Sequence, residues 1–328
     1  MYTLGIETSC DETSCAIVKG RRILANVTLS SLKEHVKYGG VVPEIATRAH
    51  LTAIDKVFAA GLKRAGIPAK KIGLIAVTCK PGLAGALVVG LNFAKALALG
   101  LEKPLIGINH LQAHLFAPYL DNRCVYGFPF LGAVVSGGHT DFYLVRDFED
   151  MKVVGRTSDD ACGEVFDKVA RELKLGYPGG PVIDRAFDLA AAGSFNFNCG
   201  RKGLNLSFSG IKTAVLYKRN ELIHQGLLDR SAVISLVSAF QKTAIEAIIA
   251  ASLDACAKYR LTRMVWGGGV TANSYLRLRL AALSADYDIK LSPLKYSGDN
   301  AAMVAGLGFY LYNKGYRSGL DLDIDTRG

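Results

Sequence analysis

The chain has 328 residues, half of them hydrophobic, and its 39 Lys and Arg against 29 Asp and Glu give a formal net charge of +10. This apolar content excludes a disordered chain, and the length suffices for two packed cores. The seven cysteines (Cys10, Cys15, Cys79, Cys124, Cys162, Cys199 and Cys256) are odd in number and contain no C-x-x-C pair, which argues against a disulfide scaffold and for reduced thiols in a cytoplasmic protein.

Met1 is followed at once by a strand-like run, Tyr2-Thr3-Leu4-Gly5-Ile6, without the basic segment and apolar core of a signal peptide, so no export is expected. Residues 3–7 read as a strand, 8–14 as a polar turn and 15–18 as a second strand. Such turns aim successive backbone N–H groups and hydroxyls into one small space where phosphate oxygens can be held. Asp11 and Glu12 sit inside this one, and their charge would repel a phosphate unless a cation were present, which favours metal or proton-transfer chemistry there. The longest apolar stretch, residues 82–101, is interrupted by Asn92 and Lys95 and dominated by Ala and Gly, so it reads as a helix buried against a sheet rather than a membrane span.

His110 and His114 stand at i and i+4, on one face of a helix, where two imidazoles can grip one metal ion. Taken alone, such a pair is more often an accident of a helix surface or core than a site. The zinc-protease pattern needs a Glu directly after the first His, and Leu111 stands there, which disfavours peptide hydrolysis of that type. Residues 130–145 repeat the strand, polar turn, strand device around Ser136-Gly137-Gly138-His139-Thr140. Two such hairpins, at the starts of two halves, suggest a duplicated lobe with a nucleotide clamped between the copies. Carboxylates at 160, 164 and 167 share a face if that segment is helical, although capping of the helix is the commoner use of residues such as Asp159 or Asp160.

Tyr177-Pro178-Gly179-Gly180-Pro181 reads as a rigid turn. Residues 264–277 read as strand, glycine turn and helix, where glycines let backbone approach a ligand closely; ordinary tight packing would use them too. Asp299 lies at a Gly-marked loop that opens the last helical segment, 300–315, and with the two histidines makes a plausible open metal centre. The alternation of strand and helix argues for an α/β protein. The excess of Lys and Arg, clustered at Lys63-Arg64, Lys70-Lys71, Arg201-Lys202, Lys218-Arg219 and Arg277 with Arg279, permits nucleic-acid binding without requiring it.

Several of these stretches together carry a resemblance. Residues 5–13 (Gly-Ile-Glu-Thr-Ser-Cys-Asp-Glu-Thr), Gly39-Gly40-Val41-Val42-Pro43-Glu44, Pro81-Gly82-Leu83, His110 with His114, residues 135–140, Gly163-Glu164 with Phe166-Asp167-Lys168, residues 177–181 and Ser207-Phe208-Ser209-Gly210-Ile211-Lys212 occur in an order that resembles the TsaD family, from residue 3 to about residue 308. These are bacterial tRNA threonylcarbamoyladenosine transferases, formerly described as glycoprotein endopeptidases.

The resemblance implies an α/β, two-lobed actin-like ATPase (ASKHA) fold with duplicated ribonuclease H-like lobes. The N-terminal lobe would be residues 1–128, completed by 299–328, and the C-terminal lobe 129–298. The implied reaction moves a threonylcarbamoyl group from threonylcarbamoyl-AMP to the N6 amine of the adenosine 3′ of the anticodon in tRNAs reading ANN codons. His110, His114 and Asp299 would bind one divalent metal ion, iron first and zinc second. Val134, Val135, Ser136, Gly137, Gly138, Asp167, Gly180, Asp184 and Asn273 would hold the adenylate. An aromatic amine is a poor nucleophile, and Asp11 or Glu12 is the candidate to take its proton or to position the adenosine. The implied partners are tRNA, TsaB-like and TsaE-like proteins and a separate synthase that makes the adenylate, with no membrane.

Three positions depart from the family pattern: Lys80 where Gly is usual, Cys162 where Ala is usual, and Gly298 where Thr is typical. Three other functions stay open on sequence alone. An actin-like small-molecule kinase has no need of the His pair, a noncatalytic scaffold homologue would lack His110, His114 and Asp299, and an endopeptidase is disfavoured by Leu111.

Overall fold

A computed structural model describes residues 1–122, 124–125 and 127–327. The chain divides into two units, Met1–Tyr126 with Lys295–Gly328, and Gly127–Leu294.

The first unit is built on a five-stranded sheet. β1 (Tyr2–Glu7), β2 (Glu12–Lys19) and β3 (Arg22–Ser30) form an antiparallel meander, and β4 (Ile72–Lys80) and β5 (Leu105–Asn109) extend it in parallel on the other side of β1, giving the order β3-β2-β1-β4-β5. β1 and β4 are near-continuous apolar runs because helices cover both faces of the sheet. The helix Ala301–Asn313 lies directly on β1, since a Cβ at Gly5 would run into the Ala301 carbonyl and Ala305. The apolar stretch expected to be a buried helix forms Ala84–Leu101, whose Leu91, Ala94 and Ala98 join Ile72, Ile75 and Leu105 in the core.

β2 begins at Glu12, three residues before the expected strand start. Its polar residues are sheet residues because the neighbouring strand answers them: Ser14 Oγ bonds Thr28 Oγ1 at 2.8 Å, and both Thr13 and Ser14 are buried. Only residues 8–11 form the turn, so Asp11 ends it and Glu12 opens the strand.

The second unit repeats the same plan. β6 (Phe130–Val135), β7 (Thr140–Asp147) and β8 (Asp150–Arg156) make the meander; β9 (Gly200–Lys202) and β10 (Asn205–Ser207) form a separate small hairpin; β11 (Arg263–Gly267) and β12 (Asp288–Leu291) add in parallel beside β6. The order β8-β7-β6-β11-β12 matches the first sheet strand for strand, with the same parallel and antiparallel pairings. This is the duplicated ribonuclease H-like arrangement of the actin-like ATPase fold. The helix Arg230–Tyr259 and the strands share a core around Phe166, Phe240, Ile245 and Trp266.

The segment 177–181 is only partly a turn. A helix, Gly179–Ala186, starts inside it, which Pro181 permits because the first helical turn has no intrahelical use for its N–H. Asp159 and Asp160 do not cap the acidic helix Cys162–Glu172. Ala161 holds the cap position, and its N–H reaches the Glu164 carboxylate at 3.4 Å. Asp159 instead accepts from the Phe208 N–H at 2.8 Å and the Ser207 hydroxyl at 2.5 Å, while Asp160 lies before the helix and pairs with Lys168 at 2.8 Å and Lys212 at 2.7 Å.

Candidate metal centre and nucleotide cradle

In the first unit the parallel strands β1, β4 and β5 end on one edge of the sheet, at Glu7, Lys80 and Asn109. Asn109 closes β5 and caps the helix His110–Phe116, its side chain accepting from the N–H groups of Leu111 at 2.8 Å and Gln112 at 3.3 Å. That cap starts the helix at His110 and sets His114 one turn above it. Asn300 does the same for the helix Ala301–Asn313, accepting from the Met303 N–H at 3.1 Å while its own amide donates to the Gly298 carbonyl at 2.9 Å, which fixes the loop that carries Asp299.

The structure brings His110, His114 and Asp299 together. Asp299 Oδ1 lies 3.0 Å from His114 Nε2 and 3.4 Å from His110 Nε2, and the two ring nitrogens lie 3.1 Å apart. Ligand atoms bonded at about 2.1 Å to one ion, as His and carboxylate ligands are, stand about 3.0 to 3.4 Å from each other in octahedral or tetrahedral geometry. The trio has that spacing, and both imidazoles are buried. His114 Nδ1 has no hydrogen-bond partner among the described residues. It carries the ring proton when Nε2 is turned to the trio.

Glu7 completes the group. Its Oε2 accepts from His110 Nδ1 at 3.0 Å and from the Thr78 hydroxyl at 2.5 Å, and its Oε1 accepts from the Ser9 N–H at 2.6 Å. A carboxylate that takes the far nitrogen of a metal-ligating histidine fixes its tautomer and raises its basicity. Sequence reasoning assigned Glu7 no role. The available clue was a lone acid closing an apolar strand.

Burial drives the Asp299 and Glu7 carboxyls up, but the adjacent His110 ring outweighs burial and holds both below the usual carboxylate range. Burial lowers His110, and the charges of Asp299 and Glu7 more than reverse this, whereas burial and the His110 charge leave His114 lowered. The cluster therefore has two carboxylates facing one imidazolium, an excess of negative charge suited to a cation.

Asp11 and Glu12 make no hydrogen bond to the trio. Ser30 Oγ lies 3.4 Å from Asp11 Oδ2 and 3.5 Å from Glu12 Oε1. Burial, helped by the charges of Asp299 and Asp11, pushes the Glu12 carboxyl up to about 10. Lys80 closes β4, and Gly298 has open space around it, so neither departure from the family pattern displaces the trio. Cys162 is a core residue whose N–H donates to Thr140 Oγ1 at 2.9 Å.

In the second unit the adenylate candidates gather at the carboxyl ends of β6 and β11. Val134 and Val135 are fully buried strand residues that can offer only backbone to a ligand. Beyond them, Ser136 closes a tight turn, its Oγ accepting from the His139 N–H at 3.1 Å, and leaves Gly137 and Gly138 exposed, with no hydrogen bond to either amide among the described residues. The amino terminus of the helix Cys162–Glu172 abuts this turn, for a Cβ at Gly163 would meet the Ser136 carbonyl and Gly137 at 2.8 Å. Free amides beside a helix amino terminus make an anion cradle.

Gly268 continues the edge. Its φ of +93° and the contact a Cβ there would make with the Val135 carbonyl both require glycine. Asn273 then caps the helix Ser274–Leu283 through the Leu276 N–H at 2.9 Å. Asp184 Oδ1 accepts the Ser274 hydroxyl at 2.8 Å and Gln241 at 3.0 Å, and its Oδ2 the Ser274 N–H at 3.0 Å. Asp167 Oδ1 accepts the Gly179 N–H at 2.6 Å, and Gly180 follows with open space above it. Asp167 and Asp184 thus tie the elements of this edge together.

Comparison with known proteins follows the same lines. The family described as TsaD: tRNA N6-adenosine threonylcarbamoyltransferase matches residues 22–306. Proteins named tRNA N6-adenosine threonylcarbamoyltransferase from Protochlamydia amoebophila and Thermosipho africanus are each 45% identical to the chain, the first over 100% of the chain and 98% of the relative, the second over 98% of both. Among solved structures, full-length HypF in its phosphate- and nucleotide-bound form aligns over 97% of the chain and 47% of its own length at a TM-score of 0.60 and 11% identity. The activator of the 2-hydroxyisocaproyl-CoA dehydratase from Clostridium difficile with bound ADPNP aligns over 97% of the chain and 99% of its own at 0.53 and 15% identity. These two share the fold.

Proposed function

This chain belongs to the tRNA N6-adenosine threonylcarbamoyltransferase family and is an acyltransferase of tRNA modification, and from that premise we propose how its residues divide the work. The family is metal-dependent. One divalent ion, Fe2+ first and Zn2+ second, is held by His110, His114 and Asp299, with Glu7 behind His110. The convergence of the three ligand atoms at 3.0 to 3.4 Å carries this reading. When bound, the ion supplies a Lewis acid that stabilises charge developing on the acyl donor.

The chain's own groups do the rest. The free amides of Gly137 and Gly138 take oxygens of the threonylcarbamoyl-AMP phosphate, as a helix amino terminus behind them favours. Val134 and Val135 contribute backbone, and Asp167, Gly180, Asp184 and Asn273 form the wall for the ribose and adenine. Asp184 Oδ2, which among the described residues accepts only the Ser274 N–H, keeps a lone pair for a ribose hydroxyl.

In the transfer, the adenosine N6 attacks the carbamoyl carbon, the bond from that carbon to the phosphate oxygen breaks, and AMP departs with the electron pair. The amine loses a proton, and Asp11 or Glu12 accepts it or positions the base. Glu12 must be ionised to act as a base, and positive charge beside Asp299 favours that by removing one of the causes that raise it. Basic surface residues draw in the tRNA through its phosphates. TsaB-like and TsaE-like proteins are the expected partners, a separate synthase supplies the adenylate, and the setting is the cytoplasm.

The test is reconstitution: purified protein, threonylcarbamoyl-AMP, partner proteins and an unmodified tRNA reading ANN codons, followed by nucleoside mass spectrometry. Threonylcarbamoyladenosine is expected. Unmodified tRNA, with metal and partners verified present, would contradict the proposal.

A further inference from the structure

The turn that ends at Asp11, just before Glu12 opens β2, is gripped by two buried imidazoles whose tautomers follow from their partners. The Val42 N–H donates to His35 Nδ1 at 3.2 Å, so that nitrogen bears no proton and His35 Nε2–H points at Ser31 Oγ, 3.0 Å away. The Ser31 hydroxyl, accepting from His35, turns its own proton to the Asp11 carbonyl at 3.0 Å, where the Ser31 N–H also donates at 3.0 Å. From the helix Pro43–Ala65, His50 Nε2 faces the Cys10 carbonyl at 2.9 Å and can only donate to it, which leaves His50 Nδ1 to accept from the Thr13 hydroxyl at 2.8 Å.

Both rings are fully buried. Their four nitrogens are all engaged, and each ring sends one donor, directly or through Ser31, to one of two consecutive carbonyls. Those carbonyls belong to the two peptide units on either side of the Asp11 Cα. Holding them fixes the backbone from which the Asp11 and Glu12 side chains leave. The loop that supplies the Val42 N–H contains Gly39-Gly40-Val41-Val42-Pro43, a motif with no other assigned use in the site.

We propose that His35 and His50 are positioning residues for the transfer: as neutral imidazoles they lock the Cys10 and Asp11 carbonyls, so that the Asp11 and Glu12 carboxyls keep one direction toward the reacting amine. This rests on the reading that those two carboxyls serve the transfer. Small misplacement of a reacting group costs rate rather than substrate affinity.

The experiment measures single-turnover transfer by the full chain with its partners, across threonylcarbamoyl-AMP concentrations, for Ser31→Ala, His50→Leu and His50→Gln. Metal content and melting temperature are measured in parallel. Ser31→Ala and His50→Leu are expected to lower the maximal rate about 10- to 100-fold, with metal content and half-saturating adenylate at wild-type values. His50→Gln, whose amide can still donate to the Cys10 carbonyl, recovers most of that rate, which a purely structural role would not produce.

Wild-type maximal rates in folded, metal-loaded Ser31→Ala and His50→Leu overturn the inference, and Ser31→Ala keeps the test decisive where His50→Leu does not fold. Asp11→Asn and Glu12→Gln separate the two levels. If either is slow while the Ser31 and His50 variants are fast, the brace fails and the role of the carboxyls stands. If both carboxamides transfer at the wild-type rate, the underlying reading fails.

Discussion

Glu7 Oε2 lies 3.0 Å from His110 Nδ1, on the side of the ring away from the nitrogen that meets His114 and Asp299. The acid is fully buried at the end of β1, and Thr78, Ser9 and His110 take its oxygens. It can orient His110 without being a ligand itself. Glu7→Gln keeps an acceptor and removes the charge, so metal affinity should fall about 10- to 100-fold with the fold retained. Competition against a chelator of known affinity measures this; unchanged affinity would remove Glu7 from the centre.

Metal removal should be visible in stability as well as activity. In the metal-free chain the buried Glu7 and the partly buried Asp299 carboxylates face one imidazolium, and binding an ion to the folded state alone stabilises it by about 2.7 kcal/mol at a hundredfold excess over the dissociation constant. Thermal unfolding with and without added Fe2+ or Zn2+ should show a rise in melting temperature. The rise should be lost in Asp299→Ala.

Gly268 tests the nucleotide edge. Its left-handed φ of +93° and the closeness of the Val135 carbonyl leave no room for a side chain, so Gly268→Ala should destabilise the protein by about 2 kcal/mol or more. Gly138→Ala, in open space, should unfold like the wild type. Chemical denaturation of the two variants side by side gives the comparison, and equal stability would contradict the tight contact.

Asp160 gives a pH dependence. Burial raises its carboxyl, and Lys168 and Lys212 more than offset this and hold it below the usual aspartate value. A depressed carboxyl contributes stability that is present above the unfolded-state value, about 3.9, and is lost as pH falls through the folded-state value. Asp160→Asn should therefore cost about 1 kcal/mol at pH 7 and progressively less below about pH 4. Urea titrations of both proteins across that range check the sign; a difference that grows on acidification would contradict it.

Much of this was legible in the sequence, for identifiable reasons. The spacing of His110 and His114 is a helical repeat, and Asp299 was marked by a glycine loop before a helix. Strand periodicity placed both hairpins. The β2 start was missed because Thr13 and Ser14 look like turn residues until β3 supplies their partners. The helix at Gly179 was hidden by glycines and prolines that a first turn tolerates. His35 and His50 have no local signature, and Glu7 has only that of an acid closing an apolar strand. Glu7 meets His110 across 103 positions and His50 meets Cys10 across 40, and the nearer partners of His35, Ser31 and Val42, face its ring only in the folded turn.

The most direct test of the central proposal is His110→Ala, with metal content by elemental analysis and threonylcarbamoyladenosine by nucleoside mass spectrometry on the same preparation. Loss of the metal and of the modified nucleoside, with wild-type circular dichroism, is the predicted result. A metal-free variant that still modifies tRNA at the wild-type rate would contradict it.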